Sequence, residues 1–404
     1  MTFKIHKPAL APARGTSFKD PVEKLNMATQ LLLRTAGDPM QSAVRLGELF
    51  DAGLLRYDAS GLLVPGPALS GAASPVASFK NKIINGAFDY WQRNTAFGAV
   101  AGSAYLADRF VTTSIGSSRA VSRQAFALGQ TEVPGDPTFY HRTVVSSVAG
   151  AGNASNCNHW VEGLRTLSGV CTLSFYARAD AARPMSIEFV QVFGTGGAPS
   201  PLVLGIGVKK LQLSTQWAKY VVTASLPSLA GKTFGTSGDC LGVAFWFEAG
   251  SSFDARTDNL GQQSGTFDIA QVQLEAGDEA TDFERRFRGT ELMMCQRYYE
   301  KSYNLDVVPG STSQFAGRNS LFIASSATGL VGQRDIRFKV SKRIVPAVAV
   351  FNDFTGTAGM VGQDDGSNVA ATINGLGTEG FYVNWANTVG RYGASFHYIS
   401  EAEF

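Results

Sequence analysis

Carboxylate side chains in the central part of the chain are the first residues that could do chemistry. Two Asp or Glu residues that flank a glycosidic bond can hydrolyse it, one as the acid and the other as the base or nucleophile, if they are held at a defined separation. The candidates lie in segments with strand-like composition: Glu162, Glu188, Asp239, Glu248 and Asp258. Sequence spacing does not measure their separation. We favour the alternative that they are solvated or hydrogen-bonded strand carboxylates.

Other catalytic patterns are present only in part. Residues 375–380 satisfy G-x-G-x-x-G, but they precede the strand-like FYVNW instead of joining a strand to a helix, and so predict a turn. Residues 229–233, LAGKT, end like a phosphate-binding loop, yet Leu226 stands where that loop requires glycine. The 4 His show no zinc-site spacing and the 4 Cys form no C-x-x-C pair. We therefore predict no enzyme activity, no catalytic residue, no metal, no cofactor, and buried, reduced thiols.

The composition is that of a β-rich protein with many tight turns. Charged residues make up 17% of the 404 residues, against roughly 25% in an average protein, and the chain holds 44 Gly and 27 Phe. The formal net charge of +2 gives no general attraction to nucleic acid or anionic lipid. No apolar run of about 18 residues occurs, and Pro8 and Pro12 interrupt the start where a signal peptide needs an apolar stretch. We expect a protein made in the cytosol, with no nucleic-acid partner and no membrane insertion.

The first part of the chain has the only long helical signals. Two capping boxes, each built on an Asp-Pro pair, begin at Asp20 and Asp38. They predict two short amphipathic helices that pack on each other, on the next domain or across chains. A hairpin is expected around residues 58–61. We assign residues 1–64 to a helical region and residues 65–79 to a linker rich in Pro, Gly, Ser and Ala.

Short strand-like segments follow the linker, each rich in β-branched or aromatic residues and bounded by turn-forming residues. They include IINGAFDYW, GVCTLSFYARA, MSIEFVQVFG, KYVVTASL, CLGVAFWFEA and TFDIAQVQLE. In MSIEFVQVF, the alternation places Met185, Ile187 and Phe189 in the core. The predicted fold class is mainly β, with a jelly-roll β-sandwich over residues 80–288. A smaller C-terminal β-sandwich, which opens with a short helix, is expected over residues 289–404.

Blocks of sequence in a fixed order resemble phage tail-fibre and related virion receptor-binding proteins. The blocks are KNKIINGAFDYWQRNTAF, YLADRF, WVEGLRTLSGVCTLSFYARAD, VQVFGTGGAPS, WAKYVVTASLPSLAGKTFG and IAQVQLEAGDEATDFERRFRGTELMMCQRYYEKS, within residues 80–303. The resemblance implies a carbohydrate-binding-module-like jelly roll, a C-terminal tip domain that opens near Cys295, a homotrimer, and cell-surface glycan as the target. It implies no set of ligand residues. The first 75 residues lie outside the resemblance, which fits a region that adapts the appendage to one particular virion.

A glycan site needs an apolar ring as a platform for the sugar face, with amide, carboxylate or guanidinium groups nearby to bond to the hydroxyls. The candidates in the jelly roll lie at alternate strand positions or near a strand end: Trp160, Glu162, Gln191, Phe193 and Trp246. The candidates in the C-terminal region are Tyr382 and Trp385. Sandwiches bury large rings by preference, so a core position is the alternative for each aromatic residue.

These features together predict a virion appendage, either a tail fibre or a head or neck spike, that binds bacterial surface polysaccharide for host attachment. Residues 1–64 would contact other virion proteins, and trimerisation would raise a weak single-site affinity through multivalency. The expected location is the surface of a phage-like particle. Two alternatives stay open: a tailspike that depolymerises polysaccharide, and a base or collar protein whose receptor contact lies on another chain.

Overall fold

The computed structural model describes residues 55–57, 63–65, 79–322, 331–388 and 390–404. The chain divides into two compact units, Met1–Ser78 and Phe79–Phe404. In the first unit, strand β1 (Leu55–Tyr57) pairs antiparallel with β2 (Leu63–Pro65), which confirms the predicted hairpin. The two predicted helices and nearly all of the predicted linker lie outside the described residues. Within the described ranges, no helix combines the length and the apolar character that a bilayer span demands.

Ten long strands build the first part of the second unit. They are β3 (Ala96–Tyr105), β4 (Phe110–Ala125), β5 (Phe139–Ser146), β6 (Ala154–Glu162), β7 (Val170–Ala179), β8 (Arg183–Thr195), β9 (Val203–Leu213), β10 (Ala218–Ser225), β11 (Ser237–Ala249) and β12 (Gly265–Ala276). A single-turn helix, α1 (Asp254–Thr257), lies between β11 and β12. The strands form a jelly-roll β-sandwich, as the sequence predicts.

Strand β4 belongs to both layers of this sandwich. Its first part pairs with β6 and its last part pairs with β5. The strand bends at Gly116, where φ is +68° and a Cβ would overlap the side chain of Asn153. Layer A therefore has the order β4-β6-β11-β8-β9, and layer B has the order β4-β5-β12-β7-β10. Strand β3 pairs along β4 at the edge that the two layers share.

The hydrophobic core lies between the two layers. Phe175 of layer B packs edge-on against Phe245 of layer A, with ring centres 5.1 Å apart. The core includes the side chains that alternation predicts on β8: Met185, Ile187 and Phe189. The opposite face of β8 is also buried, because the segment that contains α1 covers it. Ser186 on that face donates to the carbonyl oxygen of Thr257 at 2.5 Å.

The predicted strand IINGAFDYW is wrong, because residues 83–91 form an irregular loop. Asn85 has φ of +62°, and its side-chain amide donates to the carbonyl oxygens of Tyr90 and Asp108 at 2.8 and 3.0 Å. A side chain that satisfies backbone groups in this way replaces a strand ladder. Strand β9 was not predicted, since Gly205 and Gly207 interrupt its alternation.

The C-terminal part is a second, smaller β-sandwich. It opens with helix α2 (Arg288–Gln296) and continues with β13 (Tyr299–Lys301), β14 (Asn319–Phe322), β15 (Val331–Arg337), β16 (Ala347–Asn352), β17 (Met360–Gln363), β18 (Asn368–Ala370), β19 (Thr372–Asn374), β20 (Gly380–Ala386) and β21 (Gly393–Glu401). One sheet is centred on β21 and the other has the order β15-β20-β19, with a core between them that includes Trp385 and Phe396. Residues 375–380 form the turn between β19 and β20, as predicted.

The last residues of the chain fasten the small sandwich to the jelly roll, and we call residues 401–403 the C-terminal clamp. The fully buried guanidinium group of Arg109, in the jelly roll, pairs with the carboxylate of Glu403 and lies 3.4 Å from the centre of the Tyr298 ring. Arg93 pairs with Glu401 at 3.0 Å. A buried charge that loses its partner is strongly destabilising, so these contacts couple the two sandwiches.

Candidate functional site

The outer face of layer B carries a row of paired charges, which we call the arginine row. The strand register places Asp268 on β12 opposite both Arg142 on β5 and Arg178 on β7. Arg142 donates to the two carboxylate oxygens at 2.7 and 2.8 Å, and Arg178 donates at 2.9 Å. The arginine side chains are 31% and 27% exposed, whereas the carboxylate is buried. Because one carboxylate faces two guanidinium groups, the row presents a net positive charge to solvent.

An aromatic cluster lies beside the arginine row on the same face. The rings of Phe126, Tyr140 and Trp217 have centres 4.8 to 5.2 Å apart. The guanidinium group of Arg178 lies 4.9 Å from the centre of the Trp217 ring. Tyr176 is partly buried, packs against this cluster and extends it towards a neighbouring cleft. The face thus combines aromatic rings with guanidinium groups that stack on them.

A cleft of about 320 Å³ opens at Tyr176, and we call it the Tyr176 cleft. Strand pairing places Lys219 on β10 and Ala270 on β12 on either side of Tyr176. The walls come from two loops, one with Pro134 and Gly135 and the other with residues 281–285. Small-molecule pockets have volumes of roughly 300 to 1,000 Å³, so the cleft has room for about one or two sugar units.

A β-bulge shapes the floor of the Tyr176 cleft. The pairing of β12 with β7 shifts register between Ala270 and Gln273, and Gln271 within the bulge has φ of +48°. Bulges with strained residues are common beside binding sites because they redirect a side chain. Here the amide of Gln271 donates to the carbonyl oxygen of Pro134 at 2.7 Å, which holds one wall against the floor.

The polar groups around the Tyr176 cleft retain much of their hydrogen-bonding capacity. In the part of the chain that the structure describes, Lys219 Nζ donates to one carbonyl oxygen, that of Thr281, at 3.3 Å. Among the described residues, the side chains of Asp282 and Arg285 make no hydrogen bond, and both residues are exposed. Burial, with a smaller contribution from Asp282, raises the pKa of Tyr176, so its hydroxyl stays protonated at neutral pH. The cleft can therefore stack a ring and both donate to and accept from hydroxyl groups.

Two of the predicted glycan residues lie on the outer face of layer A, away from the Tyr176 cleft. The half-buried ring of Trp160 lies over Gly242 of β11, where a Cβ would overlap the ring. Glu162 accepts hydrogen bonds from Arg297 at 2.8 and 3.0 Å and from the Tyr298 hydroxyl at 2.6 Å. Burial raises the pKa of Glu162, but these hydrogen bonds outweigh it and the net pKa is lowered. Trp160 offers a ring to solvent, while Glu162 is engaged in a structural contact.

The other predicted residues occupy separate places. Four of them are at most 2% exposed: Gln191, Phe193, Trp246 and Trp385. A ring closed off from solvent offers no face to a sugar, so Phe193, Trp246 and Trp385 hold the core position that the sequence left as the alternative. Gln191 is buried as well, and its amide donates to the carbonyl oxygen of Pro227 at 2.9 Å. Tyr382 is half-buried on the outer face of the β15-β20-β19 sheet. The structure does not bring the predicted residues together into one site.

The five carboxylates considered for hydrolysis are held in structural contacts or at a helix end. Glu188 is fully buried and accepts from Arg256 at 2.8 and 2.9 Å, from Trp246 Nε1 at 3.0 Å and from the amide of Gly205 at 2.7 Å. Asp239 accepts from the amide of Leu164 at 2.8 Å. Buried Glu248 accepts from the hydroxyls of Ser147 and Ser155. Asp258 ends α1 in the left-handed conformation, and Glu162 is described above.

The thiol groups of the chain are shielded from solvent. The cysteines are buried and unpaired: Cys157, Cys171, Cys240 and Cys295. Burial raises the pKa of Cys157 and of Cys240 to about 12, so neither is a thiolate at neutral pH. In the part of the chain that the structure describes, no cluster of three or more His, Cys, Asp or Glu residues is arranged to hold a metal ion.

Sequence reasoning missed the residues of the Tyr176 cleft. Tyr176 and Arg178 stand at alternate positions of β7, and a polar alternation within a predicted strand is the signal for an outward face. Lys219 follows the same rule on β10. Nothing in the sequence indicates that Gln271 lies in a bulge, because the bulge depends on pairing with a strand about 95 residues away.

Comparisons with known proteins find distant structural neighbours for the chain. No protein-family model matches the chain, and no curated protein matches it. Among solved structures it is similar to a CBM4 carbohydrate-binding module (TM-score 0.27, 15% identity, covering 48% of this chain and 98% of that one). It is also similar to the family 11 carbohydrate-binding module from Clostridium thermocellum, in complex with a β-1,3-1,4-mixed-linked tetrasaccharide. This match has a TM-score of 0.27 and 11% identity, and it covers 45% of this chain and 99% of that one.

A third neighbour is the enzymatically active domain of tailspike protein 4 from bacteriophage CBA120 (TM-score 0.27, 10% identity, covering 48% of this chain and 21% of that one). Likenesses at this level define neither a ligand nor an assembly for this chain. The chain itself is a mainly β protein, a jelly-roll sandwich followed by a smaller sandwich.

Proposed function

We propose that the chain is a glycan-binding protein and that the outer face of layer B, centred on the Tyr176 cleft, contacts the glycan. One observation carries the proposal: a half-buried tyrosine ring faces a cleft whose lysine, arginine and carboxylate groups are free to bond to hydroxyls. Proteins recognise sugars through this combination of a ring and convergent polar groups. The arginine row and its aromatic cluster extend the same surface beyond the cleft.

The charges of this surface favour an acidic polysaccharide. Lys219 and Arg285 face the cleft against the single carboxylate of Asp282, and the arginine row adds a further net positive charge. Guanidinium groups bind carboxylates in a bidentate geometry that neutral sugars cannot use. The polysaccharide class we assign is therefore one that contains uronic acids or other carboxylated sugars.

The chain serves as a surface appendage of a phage-like particle and attaches that particle to the polysaccharide of a bacterial cell. The sequence blocks within residues 80–303 that resemble virion receptor-binding proteins support this role. Residues 1–64 hold the chain to other virion proteins, and three copies form the appendage. A homotrimer would sediment near three times the chain mass of 43.0 kDa, whereas a stable monomer would count against the assembly.

Binding of purified protein to a polymer of uronic acids tests the proposed surface. Wild type, Tyr176→Ala and Lys219→Gln are compared by titration calorimetry against polygalacturonate, with Lys209→Gln as the control because Lys209 is also exposed but lies on β9 of layer A. A lost ring contact or ionic contact is worth about 1.4 kcal/mol, so each cleft variant should bind about tenfold more weakly. Wild-type affinity in both cleft variants, or no binding by wild type, contradicts the proposal.

The same samples separate the two alternatives. A depolymerase would release new reducing ends from the polysaccharide during the titration, whereas a binding protein leaves the polymer length unchanged. A base or collar protein would bind no polysaccharide and would label no susceptible cells. The first result would make the chain a polysaccharide-cleaving enzyme, and the second would place the receptor contact on another chain.

A further inference from the structure

A second cleft lies in the small sandwich, on the outer face of the β15-β20-β19 sheet. It has a volume of about 480 Å³, and Tyr382 lies on its floor, so we call it the Tyr382 cleft. Strand pairing places Asp335 on β15 and Asn374 on β19 directly beside Tyr382 on β20. Arg337 and Glu379 line the rim. The arrangement is one aromatic ring in a row of polar side chains on a flat sheet face.

The ring of Tyr382 is fixed by the turn that precedes β20. Gly375 has φ of +57°, and a Cβ there would lie 2.6 Å from Cε1 of Tyr382. The glycine therefore lets the backbone of the turn lie against the ring, and any side chain at this position would push the ring away. Because this contact restricts the motion of a ring that lines the cleft, the ring is preorganised to receive a ligand.

The polar groups of the Tyr382 cleft have few partners of their own. In the described ranges, the carboxylate of Asp335 accepts one hydrogen bond, from Gln333 at 3.1 Å. Within the described residues, the side chains of Arg337 and Glu379 make no hydrogen bond or ion pair, and both residues are exposed. These groups are available to a ligand, and together they offer one cationic donor and two anionic acceptors.

We propose that the Tyr382 cleft binds an uncharged sugar residue, with the pyranose face on Tyr382 and the hydroxyls bonded to Asp335, Arg337 and Glu379. Two carboxylates against one guanidinium group disfavour acidic sugars and phosphates, while both carboxylates accept readily from hydroxyl groups. The site lies on a different sandwich from the Tyr176 cleft and has the opposite balance of charge. It is a second binding site, and it stands or fails independently of the first.

Fluorine NMR of the full chain labelled with 3-fluorotyrosine tests both clefts in one sample. The chain holds 12 Tyr, and the resonances of Tyr382 and Tyr176 are assigned from the signals lost in Tyr382→Phe and Tyr176→Phe. The protein is titrated with glucose, galactose, mannose, N-acetylglucosamine and glucuronate to about 100 mM, which covers affinities weaker than millimolar. The Tyr382 resonance should shift saturably with at least one of the neutral sugars and should not respond to glucuronate.

Two arginine variants on the same strand provide the matched comparison. Arg337→Gln removes a rim donor and should weaken the neutral sugar about fivefold, the effect of one lost hydrogen bond. Arg334→Gln should leave the affinity unchanged, because Arg334 alternates with Arg337 and points to the other face of β15. A Tyr382 resonance that ignores every neutral sugar, or that responds to glucuronate more strongly than to all of them, overturns the proposal. The Tyr176 resonance reports the proposed function separately in each spectrum.

Discussion

Replacement of Glu188 by Gln distinguishes a structural carboxylate from a catalytic one. Glu188 is fully buried and accepts four hydrogen bonds, two of them from the guanidinium group of Arg256. The amide keeps the volume and one acceptor oxygen, but its NH2 group would face donors, and Arg256 would lose its counter-charge. Breaking a buried ion pair costs about 3 to 5 kcal/mol. Because Arg256 is 29% exposed and water can solvate it, we expect about 3 kcal/mol.

Urea unfolding followed by tryptophan fluorescence measures this loss, since Trp246 donates directly to Glu188. With a slope of about 2 to 3 kcal/mol per molar urea, the midpoint should fall by about 1 M or slightly more. Glu132→Gln is the control, because Glu132 is exposed, and its midpoint should not move. A Glu188→Gln protein with an unchanged midpoint would refute the structural role and would return Glu188 to the list of possible catalytic groups.

Three other outcomes follow from particular contacts. Burial lowers the pKa of His141 from 6.5 to about 4, so the unfolded chain takes up a proton at a higher pH than the folded chain does. The free energy of unfolding therefore falls by about 3 kcal/mol as the pH drops from 6.5 to 4. Thermal melts of His141→Gln at several pH values should lack this contribution to the pH dependence. Gly242→Ala should push the Trp160 ring outward and increase its quenching by iodide, while the open position Gly152 tolerates Ala without change. Acidic polysaccharide should bind Lys219→Gln with a weaker dependence on salt than wild type, as measured by calorimetry at two ionic strengths.

The sequence is sufficient to predict which side chains face the core wherever apolar and polar residues alternate along a strand. Met185, Ile187 and Phe189 face the core because period two places them on one side of β8. The same rule fails for Glu188 on the other side, since a later segment of chain, around α1, covers that face. The apolar residues of segment 83–91 predict a strand, but the hydrogen bonds that Asn85 makes to the backbone hold this segment as a loop.

The candidate sites were less predictable because they depend on pairing between strands that are distant in sequence. Tyr176 becomes a cleft floor only when β10 and β12 pair on either side of β7. The residue type and strand position of Trp246 predict a platform, yet its ring packs against that of Phe253, with ring centres 5.3 Å apart. The residue type of Tyr382 predicts a sugar-binding ring, but the position of that ring depends on Gly375. The positive φ of Gly375 is a property of the turn.

The C-terminal clamp has a consequence for which polysaccharides the protein would bind. Arg93 and Arg109 of the jelly roll pair with Glu401 and Glu403 of the clamp. Because these contacts join the two sandwiches, the distance between the Tyr176 cleft and the Tyr382 cleft is fixed. A polysaccharide that reaches both clefts meets the second at a high effective concentration, but only if its repeat matches that fixed span. By fixing this distance, the clamp would let the protein select a polymer by the length of its repeat as well as by the chemistry of its sugars.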